Sequence, residues 1–370
     1  MVFYRKYRPQ KLSELDSEFV RNTLFSMLGS KEIPHALLFA GPKGLGKTSA
    51  ARIVAKIINC ERIARSSLRV EKRSTSHEPR ATSQIEPCNT CAQCISITNG
   101  TNLDVLEIDA ASNRGIDEIR DLREKIALAP GSAAKKIYII DEVHMLTTEA
   151  FNALLKMLEE PPVHVMFILC TTEMYKVPAT IASRCFHIAF SRANDSELFR
   201  SLKRIVRLEN IVVDQEALAE IAKISDGSFR DASKLIEQVK ATAGRKKITS
   251  EIVSKLTGRN KKTVDFISLI AQKNAKEALQ WLNTSVDQGL NIRFWMEDLL
   301  AHLHDRLLLY YGIESRPVPD VLKQLQESEV KELIVLFTRA NQELKTTVLP
   351  QLPAELAIIE YCLENSKDEK

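Results

Sequence analysis

The stretch Pro34-His-Ala-Leu-Leu-Phe-Ala-Gly-Pro-Lys-Gly-Leu-Gly-Lys-Thr48 decides the fold. Residues 36–40 are a short apolar run that reads as a buried strand, residues 41–47 a glycine-spaced turn, and residues 48–58 have helical periodicity. Strand, GxxxxGK[ST] turn and helix in that order form a phosphate-binding loop. Gly41, Gly44 and Gly46 permit a tight backbone path whose N–H groups face an anion, and the following helix turns its positive end to the same place. Pro42, Lys43 and Leu45 complete the loop. Lys47 is expected to reach the β- and γ-phosphates of a nucleoside triphosphate, and the Thr48 hydroxyl to hold Mg²⁺.

A chain of 370 residues can bury two or three cores. Its 44% hydrophobic and 27% charged residues are ordinary for a globular protein. No apolar run approaches the roughly 18 residues of a membrane span, and the N-terminus lacks the apolar segment of a signal peptide, so a cytoplasmic protein is expected. The net charge of +4 is unevenly placed: residues 1–257 carry 38 basic and 31 acidic side chains, the remainder 14 and 17. A basic front part is compatible with a polyanion partner, although bound nucleotide also needs cations.

Outward from the loop, residues 18–28 read as a helix, and four further strands are expected over 105–108, 137–140, 165–170 and 186–190. Helical segments over 116–128 and 148–158 lie between them, the pattern of an α/β fold with a parallel sheet. Ligands of such sheets gather at the carboxyl ends of the strands, where Gly41, Asp109, Asp141 and Thr171 fall. Residues 61–86 lose periodicity and carry six basic and four acidic residues, which reads as a flexible insertion. From about Arg192 only helices are expected, including 196–209, 215–225 and 230–243. A second helical block over 260–365 is broken near Pro317 and Pro319. There, Leu279, Leu282, Phe294, Leu299, Leu300, Leu303 and Leu307 have the spacing of a bundle core, and any exposed apolar stripe would be a subunit contact.

Ile137-Tyr-Ile-Ile-Asp-Glu142 is an apolar strand ending in two acids. Beside a phosphate-binding loop, Asp141 is expected to complement Mg²⁺ and Glu142 to orient and deprotonate an attacking water, so hydrolysis as well as binding is expected. Thr172, or Thr171 beside it, would bond the γ-phosphate or that water. Arg184, in Ser183-Arg-Cys185, is placed to serve a neighbouring subunit's nucleotide, where a guanidinium on transition-state charge is worth about 10³ to 10⁵ in rate. Arg230 would touch the phosphates from the helical side and couple it to the core.

Cys60, Cys88, Cys91 and Cys94 offer four thiolates to a tetrahedral Zn²⁺, the structural kind of site because no ligand position is left open. An iron–sulfur cluster is the competing occupant. The long gap after Cys60 is no obstacle: tripling a loop costs about 1 kcal/mol, against roughly 10 kcal/mol or more from structural zinc. Cys170, Cys185 and Cys362 read as small core residues.

Together these residues resemble the gamma/tau subunits of the bacterial DNA polymerase III clamp loader, which are AAA+ ATPases. The resemblance is carried by Tyr7-Arg-Pro9, the GPKGLGKT loop, the cysteine cluster, Glu107-Ile-Asp-Ala-Ala-Ser-Asn113, Asp141-Glu-Val-His-Met-Leu146, Phe151-Asn-Ala-Leu-Leu-Lys-Met-Leu-Glu-Glu-Pro-Pro162 and Ser183-Arg-Cys185. It implies a RecA-like AAA+ core over 1–191 with a zinc-binding insertion at 60–94, a helical lid over 192–257 and a helical collar for oligomerisation over 258–370. It also implies Asp141 and Glu142 as the Walker B acids, Thr172 as first sensor, Arg184 as trans arginine finger and Arg230 as second sensor, with Arg8 and Pro9 enclosing adenine. The implied partners are the delta and delta-prime subunits, further copies of the chain, a sliding clamp and primer-template DNA, for which Arg114 is a candidate contact. ATP binding would let the assembly open the clamp on DNA, and hydrolysis would release it closed.

Two features depart from the family pattern. The insertion between Cys60 and Cys88 is longer than usual, and the chain stops soon after the collar, as the short loader-only form or a truncated one would. The rival readings are a non-hydrolysing delta-prime-like stator, which would have a spoiled loop where Lys47, Thr48 and Glu142 are intact, and another AAA+ DNA motor such as a Holliday-junction helicase, which gives no reason for the four cysteines.

Overall fold

The computed structural model describes residues 2–30, 32–64, 85–112, 126–244, 246–257, 262–313, 318, 320–344 and 347–364. The chain divides into two compact units, Met1–Thr249 and Ser250–Lys370. Most of the expected helix over 116–128, Arg114, most of the 61–86 insertion and both Pro317 and Pro319 lie outside the described residues.

In the first unit, β1 (Ala36–Ala40), β2 (Val105–Asp109), β3 (Lys136–Asp141), β4 (Val165–Thr171) and β5 (Phe186–Ala189) form one parallel sheet in the order β2-β3-β4-β1-β5. The three inner strands are buried on both faces, which explains why their sequences are continuous apolar runs. Alternate side chains divide between two cores. Leu37, Phe39, Ile137, Ile139, Met166 and Ile168 pack with the helices Glu18–Gly29 and Lys47–Asn59, while Leu38, Tyr138, Ile140, Phe167 and Leu169 pack with the helix Thr148–Glu159. The edge strands β2 and β5 are more exposed.

The helix Lys47–Asn59 starts one residue earlier than its periodicity suggests. Gly46, at φ +88°, turns the chain into it from the left-handed region. Three helices complete this unit: Asp195–Leu208, opened by an Asn194–Glu197 capping box, Gln215–Ile224, and Phe229–Ala243, capped by Ser228. They close over Leu202, Ile205, Ile221, Ile236 and Val239, all buried.

The second unit is helical among its described residues, with Lys262–Ala271, Ala275–Asp287, Ile292–Tyr310, Glu327–Glu343 and Leu352–Glu364 as its longer helices. Leu282, Leu299 and Leu303 are buried in its core, with Leu279, Leu300 and Leu307 packed around them. Phe266 meets Trp295 edge-on at 4.8 Å and Phe337 at 6.1 Å. Leu352, Leu356 and Ile359 form an exposed stripe at helical spacing. No helix among the described residues is long and apolar enough to cross a membrane.

Candidate functional site

The loop after β1 is tied to its neighbours by backbone contacts that only glycine allows. Gly41 N–H donates to the Thr171 carbonyl at the end of β4 (3.1 Å), and a Cβ on Gly41 would stand 2.0 Å from the Phe190 carbonyl oxygen. Lys47, 6% exposed, donates from Nζ to the carbonyls of Gly41 (2.7 Å) and Pro42 (2.8 Å). Burial lowers its pKa, against the charges of Glu142 and Asp141.

Thr48 lies in the first turn of the helix after the loop, so the loop itself sets it against the end of β3, one strand beyond β4. Thr48 Oγ1 donates to Asp141 Oδ2 at 2.7 Å. The hydroxyl and carboxylate oxygens are hard ligands of the kind Mg²⁺ takes, and they suit that ion. Glu142 follows at φ +49°, its N–H donating to Asp141 Oδ1 (3.0 Å). Thr172 Oγ1 donates to Glu142 Oε2 at 2.9 Å, whereas Thr171 is fully buried with its hydroxyl 3.0 Å from His144 Nδ1. Of the two adjacent threonines, Thr172 is therefore the one that reaches the acid. The His144 ring is packed between Glu142 (3.6 Å) and Glu173 (3.3 Å), a position its sequence context did not single out.

Lys47, Thr48, Asp141 and Glu142 open on a cavity of about 390 Å³ whose other walls come from the N-terminal segment and the last helices of the unit. Arg8, Pro9, Lys43, Gly44, Leu45 and Arg230 line it. The Arg230 guanidinium lies 4.9 Å above the Tyr4 ring, and its backbone N–H donates to the Gly44 carbonyl (3.2 Å). Burial lowers the pKa of Arg8, and neighbouring Arg52, Arg230 and Arg5 repel its charge. Cations gathered this closely favour an anion among them. Tyr4 and Glu209, which bonds Lys6 (2.6 Å), Lys240 (2.6 Å) and the Tyr7 hydroxyl, were missed by sequence reasoning because their partners are more than 30 residues away.

Arg184 lies apart from this cavity. Half-exposed, it pairs with Glu159 (2.7 Å) and donates to the Thr180 carbonyl (2.8 Å).

The four cysteine sulfurs lie within 4.8 Å of one another. N–H groups point at them: Cys88 N to Cys60 Sγ (3.4 Å), Cys91 N to Cys88 Sγ (3.3 Å) and Cys94 N to Cys91 Sγ (3.5 Å). Burial opposes ionisation of Cys88, but the hydrogen bonds from Thr90 and Cys91 outweigh it and lower the pKa. Cys60 and Cys94 are fully buried. Four convergent thiols with amide donors fit a thiolate-bound metal and its tetrahedral geometry. Cys170 and Cys362 are buried and Cys185 partly so, each with a raised pKa caused first by burial.

Family models match twice: one described as DNA polymerase III, delta subunit, over residues 17–194, and one described as the ATPase lid domain of a DNA polymerase III clamp loader subunit, over 197–245. The DNA polymerase III subunit gamma of Buchnera aphidicola is 32% identical over 94% of this chain and 91% of its own length. This chain belongs to the DNA polymerase III gamma/tau family. Subunit tau of Bacillus subtilis is 39% identical over 98% of the chain, and that of Escherichia coli 34% over 82%. The chain spans 63% and 44% of the length of those two relatives. Among solved structures, the Thermotoga maritima RuvB branch migration motor is similar over 83% of this chain and 86% of its own, with 17% identity and a TM-score of 0.49. The gamma/tau family accounts for the architecture: a RecA-like AAA+ core with a parallel sheet, followed by a helical lid and further helices.

Proposed function

We propose that this gamma/tau chain is an ATP-hydrolysing motor subunit of a DNA polymerase III clamp loader, working in the cytoplasm. The observation that carries the reading is the 2.7 Å bond from Thr48 to Asp141, with Lys47 and Glu142 lining the same cavity. Lys47 binds the β- and γ-phosphates, and Thr48 and Asp141 hold Mg²⁺, which would neutralise charge between those phosphates. Glu142 takes the proton of a water that attacks the γ-phosphorus, while ADP leaves with the bridging oxygen. Thr172 fixes the Glu142 carboxylate, Arg8 and Pro9 wall the base pocket, and Arg230 contacts phosphate from the lid.

Arg184 is the finger offered to a neighbouring subunit's nucleotide. Its exposure and its distance from the chain's own site support that role, because the pair with Glu159 is worth only about 1 kcal/mol and is readily exchanged. The core over 1–191, with its cysteine insertion, binds nucleotide, and the lid over 192–257 closes on it. The helices over 258–370 form a collar, whose stripe of Leu352, Leu356 and Ile359 supports a subunit contact. Partners are the delta and delta-prime subunits, further copies of the chain, the sliding clamp and primer-template DNA. Cys60, Cys88, Cys91 and Cys94 hold a structural Zn²⁺.

The test is ATP turnover by the chain assembled with delta, delta-prime, clamp and primed DNA. Stimulated turnover that Lys47→Ala abolishes supports the motor; absent turnover, or turnover indifferent to Lys47→Ala, assigns the chain a stator's role instead.

A further inference from the structure

One lysine in the nucleotide-binding unit is more deeply buried than the phosphate-binding Lys47 and has no part in the chemistry proposed above. Lys56 is 1% exposed, and Nζ donates to Asn89 Oδ1 (3.1 Å) and to the side-chain oxygen of Gln10. An ammonium buried among amide oxygens is costly unless negative charge lies near. Burial lowers its pKa, opposed in part by the Glu14 carboxylate.

Gln10 is gripped on every polar atom. Its side-chain oxygen takes Lys56, its side-chain nitrogen donates to the Arg8 carbonyl (3.0 Å), its N–H donates to Glu14 Oε2 (2.7 Å), and its carbonyl accepts from Asn89 Nδ2 (3.3 Å). Asn89 sits inside the Cys88–Cys91 turn at φ +57°, a conformation that asparagine tolerates better than most residues. Glu86, two residues before Cys88, accepts from the N–H groups of Leu12 (2.9 Å) and Ser13 (2.7 Å). The cysteine turn therefore holds residues 10–13, and Gln10 holds Arg8, which lines the nucleotide cavity.

We propose that the thiol centre and the nucleotide cavity are energetically coupled through Gln10, with Lys56 and Asn89 as positioning residues. A metal on the four sulfurs fixes the turn that carries Asn89, the turn fixes Gln10, and Gln10 fixes the segment at Arg8. The inference rests on the zinc and nucleotide assignments above. Coupling of this kind is reciprocal: whatever factor metal adds to nucleotide affinity, nucleotide adds to metal affinity.

The experiment titrates the full chain with a fluorescent ADP analogue, first zinc-loaded and then after chelation and dialysis. Stripping the metal can loosen the fold, so zinc affinity is also measured on the loaded chain, by competition with a chromophoric chelator, with and without ADP. We expect a factor of about five or more in both directions, at the lower end of typical couplings. Gln10→Ala, which leaves the cysteines intact, should bind stoichiometric zinc with a factor near one. Asn89→Gly, which keeps the left-handed backbone and removes the amide, should do the same. A factor of one in the wild-type chain that binds both ligands, or an undiminished factor in Gln10→Ala, overturns the coupling and leaves the two sites standing. A chain that binds no metal, or no ADP, overturns the coupling together with the corresponding assignment.

Discussion

The Thr172 hydroxyl holds the Glu142 carboxylate at 2.9 Å, joining the ends of two neighbouring strands. Glu142 leaves β3 in a left-handed conformation, so its side chain is aimed by backbone and hydroxyl together. Removing the hydroxyl leaves the proposed base present but unaimed. Thr172→Ala should keep nucleotide affinity within about twofold and reduce turnover in the assembled complex by roughly ten- to a hundredfold, a misaimed base losing part of what proton transfer contributes. Thr172→Ser should recover most of it. Single-turnover phosphate release and nucleotide titration check this, and loss of affinity in step with turnover would refute it.

Arg184 should separate binding from assembly-dependent turnover. Arg184→Ala is expected to leave nucleotide affinity of the isolated chain unchanged and to lower turnover of the complex by about 10³-fold. Melting of the isolated chain should shift by no more than about 2 °C, since the lost pair with Glu159 is exposed. Equal loss of turnover in the isolated chain and the complex would place the arginine's effect within its own subunit.

Two loop glycines should differ sharply. Gly41→Ala would drive a Cβ to 2.0 Å from the Phe190 backbone oxygen, which cannot yield without parting the loop from β5, so a loss of roughly 3 kcal/mol or more is expected. Gly46→Ala meets nothing within 4 Å and bears only its left-handed φ of +88°, about 1–2 kcal/mol. Urea unfolding of the two variants checks the order; equal losses would show that the contact at Phe190 relaxes freely.

Acid should release the N-terminal segment from the lid before the core is affected. Lys240, Lys6 and Tyr7 hold the Glu209 carboxyl down to about 2, below the roughly 4.3 of an unfolded chain. A lowered acid pKa gives stability that is full above the unfolded value and lost as pH falls toward the folded one, here from about pH 4.3 to pH 2. Amide exchange over residues 3–7 should rise relative to the core strands across that window, and Glu209→Gln should show the same raised exchange at pH 7. Identical protection in the two proteins at neutral pH would remove Glu209 from the latch.

Much of this was legible from local patterns. β1 was read to its ends, and the other strands to within a residue, because an inner parallel strand is buried on both faces and its apolar run stops where the backbone leaves the core. The loop glycines, Lys47 and the acids at the end of β3 were legible because each motif is contiguous. Helix ends shifted by a residue where caps set them, as at Asn194 and Ser228.

What the chain order could not give was the contacts by which these pieces meet. Motif chemistry led to the expectation that Thr48 and Asp141 share one ion, but the bond between them depends on β4 lying between β1 and β3, a strand order that neither segment states. The choice of Thr172 over Thr171 follows from strand alternation and the path of Glu142, and the Glu209 latch and the grip of Asn89 on Gln10 join residues far apart in the chain. Sequence determined the chemistry of each element, because propensity and burial act over a few residues. Tertiary structure alone decided the convergence, because hydrogen bonds between distant segments depend on how the sheet and its helices pack.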